Sequence, residues 1–354
     1  MRTLAQLVFA AALLGVALPA ARADFQTERK KNWHQWRGPD ANGVAPEADP
    51  PLEWSDTKNV RWKVEVPGRG SSSPIVWKDR IYLLTAIPTD RRVEEAPAGE
   101  TPAAGSNAQE GGEQGRRGRG RGRGGSGRGR GREPAAIHQF AVIAFDRNTG
   151  KEVWRKAAVE EAPHEPGHDT NTPASASAIT DGERLFASFG SRGIFAYDLE
   201  GKLLWKADLG DMQTRNGFGE GASPALHGDT LVVPWDHEGE SLIFALDAKT
   251  GDVRWKKPRD ERTTWATPLI VEHGGKLQVV TNGSTRVRSY DLATGDVIWE
   301  CGGQASNPIP SPVVLDQTVF CMTGYQGYAV YAIPLDAKGD ITGSDKVKWS
   351  RRDS

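Results

Sequence analysis

The side chains best suited to chemistry sit in short polar runs between glycines and prolines. His164 and His168 are followed by Asp169 and Asn171. On a helix, two histidines four apart would aim at one metal ion. Pro163, Pro166 and Gly167 break any helix there, so these are loop residues and no metal ligands are assigned. Farther along lie Arg215, Asn216 and Glu220, then Trp235, Asp236, His237 and Glu238, then Arg262 and Trp265, then Asn282 and Tyr325. Polar loop residues gathered in this way read as a default binding site. No Gly-x-Ser-x-Gly elbow or phosphate-cradling loop accompanies them, and no catalytic residue is assigned. Cys301 and Cys321 read either as buried thiols or as one disulfide.

These runs are carried by a repeat. Asp146, Gly150 and Trp154 mark one copy, and Asp198, Gly201 and Trp205 a second, one residue shorter. Asp247, Gly251 and Trp255 mark a third, Asp291, Gly295 and Trp299 a fourth, and Asp336 to Trp349 a looser fifth. A Ser/Thr-Pro pair leads into an apolar run ahead of each: Ser73-Pro74, Thr172-Pro173, Ser223-Pro224, Thr267-Pro268 and Ser311-Pro312. The last four prolines are 51, 44 and 44 residues apart. In the second unit, strands are expected at Ala174–Ile179, Arg184–Phe189, Ile194–Leu199 and Lys202–Ala207, divided by Gly and Asp turns. Four strands per period of about 40–50 residues define a propeller blade, so the fold class is an all-β propeller.

The Asp starts a turn, the Gly supplies positive φ, and the Trp falls on the outer strand, where its ring can wedge between blades. Trp62, Trp154, Trp205, Trp255, Trp299 and Trp349 are the expected docking residues. Strands alternate direction within a blade. The crossings between blades therefore share a face with the loops between second and third strands. That face should collect His168, Asp169, Asn171, Asn216, Glu220, Asp236, Arg262, Trp265 and Asn282 as binding candidates.

Ala144, Asp146, Gly150, Lys151 and Trp154 complete an Ala-x-Asp-x-x-x-Gly-Lys-x-x-Trp pattern, as do Ala196 to Trp205 with one residue deleted. This resembles the tryptophan-docking motif of PQQ-type (pyrroloquinoline quinone) propellers. Ala245 to Trp255 has Asp252 in place of Lys, and Ser289 to Trp299 departs at the Ala as well. The stretch Trp33 to Gly43 looks like the lead-in of bacterial secreted PQQ-like repeat proteins. The resemblance runs from about Trp33 to the end and implies seven or eight blades. Five units, with Asn59–Val64 as a lone outer strand carrying Trp62, therefore predict a truncated ring; a genuinely small ring is the alternative.

The resemblance implies two functions. One is a non-catalytic binding or scaffold module of the cell envelope, similar to the propeller of the outer-membrane assembly lipoprotein B. The other is a quinoprotein dehydrogenase that holds PQQ with calcium and oxidises alcohols or sugars. This sequence lacks the adjacent cysteines and the Cys-x-x-Cys-His haem motif that often serve such enzymes. The scaffold is therefore the favoured expectation, with no cofactor assigned.

Compartment and partners follow from the rest. A basic start, an apolar run from Leu4 to Pro19 and small residues around Arg22 predict a signal peptide over 1–23, cut after Ala23. That places the protein in the periplasm or outside the cell, with no membrane span and no cysteine near the cut for a lipid anchor. Residues 24–58 form a lead-in and 59–354 the propeller, interrupted by an Arg/Gly-rich insert at 88–137 that cannot bury a core. The whole chain, of 354 residues and net charge −1, is not a polyanion binder. The insert could still meet anionic envelope polymers; the signal peptide argues against nucleic acid as a natural partner. Envelope proteins are the other expected partners.

Overall fold

The computed structural model describes residues 19–93, 136–324 and 327–353. One helix, α1 (Pro19–Lys30), precedes five four-stranded antiparallel meanders. The first is β1 (Ile75–Trp77), β2 (Arg80–Arg92), β3 (Ala136–Asp146) and β4 (Glu152–Glu161). The second is β5 (Ile179–Thr180), β6 (Arg184–Ser188), β7 (Ile194–Asp198) and β8 (Leu203–Ala207). The third is β9 (Ala225–His227), β10 (Thr230–Trp235), β11 (Leu242–Asp247) and β12 (Val253–Pro258). The fourth is β13 (Leu269–His273), β14 (Lys276–Thr281), β15 (Arg286–Asp291) and β16 (Val297–Gly302). The fifth is β17 (Val313–Leu315), β18 (Thr318–Thr323), β19 (Tyr328–Pro334) and β21 (Trp349–Asp353). A short β20 (Gly339–Asp340) leaves the fifth sheet and pairs parallel with β16, covering the outer edge of the fourth.

The sheets are blades whose faces stack. Along β6, Leu185 packs toward the first blade's core and its neighbour Phe186 toward the third's, as strand alternation requires. The first core joins Tyr82 and Phe140 to Leu185 and Tyr197, and the second joins Phe186 and Trp205 to Leu231 and Phe244. Another joins Trp299 and Cys301 to Cys321, Ile333 and Ile341. Both cysteines are buried free thiols, and burial pushes each of them up.

The docking motif has a geometric cause. The small Ala faces the Trp across the ladder: Ala144 opposite Trp154, Ala196 opposite Trp205 and Ala245 opposite Trp255. The register shifts one residue later in each pair, a bulge that bends the outer strand. The indole then lies on the turn glycine of the next blade and donates to a carbonyl there. Trp62 donates to Arg147 O at 2.9 Å, Trp154 to Leu199 O at 3.1 Å, Trp205 to Ala248 O at 3.0 Å and Trp255 to Leu292 O at 2.9 Å. Trp299 and Trp349 differ. Trp299 is fully buried but its N–H has no partner among the described residues, where the fifth blade replaces the tight Asp-Gly turn with the excursion through β20. Trp349 is 48% exposed and touches Phe320 of its own blade.

Three sequence expectations change. Thr172-Pro173 is not the second unit's entry: Ser177 takes that place, because its hydroxyl accepts from Ser73 N–H and its own N–H donates to Ser223 Oγ in the axial series described below, and the strand proper begins at Ile179. The expected outer strand at Asn59–Val64 joins no ladder among the described residues, although Trp62 docks as drawn. The insert is shorter than 88–137: Pro88 pairs with His138 and Arg92 with Ala136, helped by Thr89 Oγ1 donating to Ile137 O at 2.8 Å. Most of the Arg/Gly run lies outside the described residues, as do the apolar start of the chain and Tyr325. The expected cut after Ala23 falls inside α1.

Candidate binding face

The axis is built from hydroxyls. Ser73 N–H donates to Ser177 Oγ at 2.9 Å, Ser177 N–H to Ser223 Oγ at 2.9 Å, Ser223 N–H to Thr267 Oγ1 at 3.1 Å, and Thr267 N–H to Ser311 Oγ at 3.2 Å. Each inner strand is thus tied to the next at one height. The lead-in closes this axis from the side of the Asp-Gly turns. Trp33 pairs with Val76, His34 O accepts from Thr180 N–H, and Trp36 reaches among Pro224, Pro268 and Pro312 and donates to Ser311 Oγ at 3.4 Å. Buried His34 packs against Phe25 and Trp77, and desolvation pulls its pKa down to about 3.

The opposite face carries the blade crossings, which form a hydrogen-bonded crown. Asn171 Nδ2 donates to Phe218 O at 2.9 Å and Glu220 O at 3.1 Å. Trp265 Nε1 donates to Gly219 O at 2.7 Å, and its ring faces Phe218, which in turn meets His168 edge-on at 5.3 Å. Arg215 N–H donates to Thr263 Oγ1 at 2.9 Å and its guanidinium to Asn307 Oδ1 at 2.8 Å. Each crossing is therefore fixed by the next.

Between the first two blades this crown leaves a cleft of about 270 Å³. His168, Asp169, Asn171 and Glu220 line it together with Phe140, Phe189, Arg69 and Arg192. Glu220 accepts from Ser191 N–H at 2.9 Å and from the Ser191 hydroxyl. Burial outweighs those donors and raises its pKa to about 7, with the charge of Glu165 adding to the rise. Glu165 accepts from Thr214 N–H at 3.0 Å and from its hydroxyl. Arg192 donates to Ala162 O at 2.7 Å and pairs with Glu161 at 3.2 Å.

The other candidates lie elsewhere. Asn216 and Arg262 are exposed on the crown, and Asn216 holds a φ of 55°. Asp236 and Asn282 are buried beneath it rather than open at its mouth. Asp236 makes a two-pronged ion pair with Arg259 at 2.6 and 2.9 Å and accepts from Thr264 Oγ1 at 2.8 Å. Arg259 also donates to Thr281 Oγ1 at 2.8 Å and Tyr290 O–H at 2.6 Å. Asn282 Nδ2 bridges Pro310 O and Met322 O, joining the fourth and fifth blades. Sequence reasoning missed Glu165, Ser191, Arg192 and Arg259. Ser191 and Arg192 lie between Gly190 and Gly193, a turn whose second-to-third-strand position was the available signal.

A calcium-bound quinone needs a cluster of free oxygen ligands. Asp236 is engaged by Arg259 and Glu220 by Ser191, and among the described residues no three His, Cys, Asp or Glu side chains converge as metal ligands. The described residues do not fit that group.

Stacked four-stranded blades, docking tryptophans and a polar crossing face define a propeller whose axis is covered by the lead-in on the turn side. The chain belongs to the PQQ-like repeat family: the family model described as outer membrane protein assembly factor BamB matches residues 138–354. A curated relative, outer membrane protein assembly factor BamB of Burkholderia pseudomallei, is 26% identical over 197 residues, 53% of this chain. The chain spans only 46% of that relative. Similar solved structures include BamB from Moraxella catarrhalis, with 19% identity, 62% of this chain and 61% of that one covered, and a TM-score of 0.44. Quinohemoprotein alcohol dehydrogenase from Comamonas testosteroni has 13% identity, covers 58% and 40%, and has a TM-score of 0.45.

Proposed function

We propose that this protein is a binding and scaffold module of the bacterial cell envelope, working in the periplasm and presenting its crossing face to partner proteins. The observation that carries this is the state of the functional groups in and beneath the crown. Glu165, Glu220, Asp236, Arg192 and Arg259 are all engaged by groups of the chain itself. Such a face is preorganised for recognition, which lowers the entropy cost of binding. The family match and the BamB relative support the same reading. The Arg/Gly run, with its high positive charge, suits a second contact with anionic envelope polymers.

The test compares two outcomes on the full chain. Photo-crosslinkers at Asp169 and Arg262 on the crossing face, and at Asn148 on the turn face, are expected to capture envelope proteins from the crossing face alone. In parallel, PQQ with calcium is titrated while tryptophan fluorescence is read. Saturable calcium-dependent quenching together with dye reduction by an alcohol or sugar would replace the scaffold with the dehydrogenase.

A further inference from the structure

We propose that the cleft between the first two blades holds an apolar side chain of a partner's extended segment together with an adjacent carboxylate. This rests on the binding-module reading above and names the partner chemistry at one point of the crown.

The floor sets the apolar part. Phe140 and Phe189 meet edge to face at 5.6 Å beneath the cleft. Pro163, Pro166 and Pro173 form its rim, so the wall loses little freedom when a ligand enters. A cleft of about 270 Å³ fits one large side chain and a little backbone, below the usual size of a cofactor pocket.

Charge sets the polar part. The carboxylates of Glu165 and Glu220 are held by Thr214 and Ser191, and Arg192 is held by Ala162 O and Glu161. His164 lies 3.3 Å from Asp211, and His168 is bonded to Thr170. Arg69 is different: it lines the cleft, is exposed, and its guanidinium makes no hydrogen bond or ion pair with any described residue. Its backbone is pinned on both sides by Ala86, so the side chain projects from a fixed point. A guanidinium recognises a carboxylate with two parallel bonds. Asp169 on the rim is an exposed anion and limits the ligand to a single acidic group beside the apolar one.

The probe is a short blocked peptide with Phe-Glu between Gly-Ser flanks, labelled for fluorescence anisotropy, with Phe-Gln, Ala-Glu and Phe-Lys versions. The Phe-Glu peptide is expected to bind saturably. Each of the other three, and Arg69→Ala with the first peptide, should weaken binding about tenfold or more, the worth of a charge-assisted contact. Arg69→Lys should recover part of it. Arg69 is exposed, so its loss leaves the fold intact, which circular dichroism checks. Equal binding to wild type and Arg69→Ala, or no saturation at millimolar peptide, would overturn the proposal. Crossing-face crosslinks that persist in Arg69→Ala alongside a failed peptide test would sink the cleft but spare the scaffold.

Discussion

Trp205 lies flat on Gly251, one blade's outer strand against the next blade's turn. A Cβ built at Gly251 would come within 2.7 Å of the Trp205 ring, and the backbone there has a φ of 81°. The same pairing joins Trp62 to Gly150, Trp154 to Gly201 and Trp255 to Gly295. The glycine is demanded twice, by conformation and by contact.

Gly251→Ala should therefore destabilise the protein by more than the left-handed backbone alone. That backbone cost is about 1–2 kcal/mol, and overpacking against the ring adds about 1–3 kcal/mol. Gly210 is the control: it has a φ of 96° but nothing within 4 Å of an added Cβ. Urea unfolding of both variants should show the larger loss at Gly251. Equal losses would mean that the ring yields and the contact does not set the blade spacing.

Asp236 and Arg259 should behave as a core pair. Their side chains are 2% and 0% exposed. Asp236→Ala strands a buried guanidinium and should cost about 3–5 kcal/mol. The double change Asp236→Leu with Arg259→Met should recover much of that. A double variant no more stable than Asp236→Ala would show that the pair is worth more than its removal.

His34 should make the lead-in sensitive to acid. In the unfolded chain it takes up a proton below about pH 6.5, and in the folded chain only below about 3. Between those values the unfolded state holds more protons. Stability is therefore complete above 6.5 and falls as the pH drops toward 3. Proteolysis of the lead-in should speed up over that window, and His34→Leu should flatten the dependence. A wild-type profile unchanged by the substitution would remove His34 as the cause.

Glu220 should act with the opposite sign. Its folded pKa of about 7 lies above the ordinary 4.5. Over that interval the folded state holds the extra proton, so the stability it contributes is present below 4.5 and is lost as the pH rises through 7. Glu220→Gln should reduce this slope while keeping an acceptor for Ser191. The readout is the midpoint of thermal unfolding between pH 5 and pH 8, as about one pKa unit is 1.4 kcal/mol. The same slope in Glu220→Gln and wild type would count against the assignment.

Much of the architecture was legible in the sequence. The Asp, Gly and Trp of each unit lie close together in the chain, and local turn chemistry with strand alternation fixes their roles. Four candidate residues, His168, Asp169, Asn171 and Glu220, meet at one cleft because alternating strand directions place all crossings on one face. The failures have a common physical cause. Thr172-Pro173 has the expected form, yet Ser177, without a proline, holds the axial place because its hydroxyl meets a backbone 104 residues away. Asp236 looks like an open loop acid, but Arg259 arrives from the end of another strand to bury it.

The sequence by itself determined the blade, its period and the Asp, Gly and Trp that mark each turn and outer strand, because those rest on residues near one another in the chain and on a repeated unit. Tertiary structure alone decided which polar groups remain free. Whether Trp36 closes the axis, whether Glu220 is held by Ser191 and whether Arg69 stands uncommitted depend on segments far apart in the chain, brought together only when the blades stack.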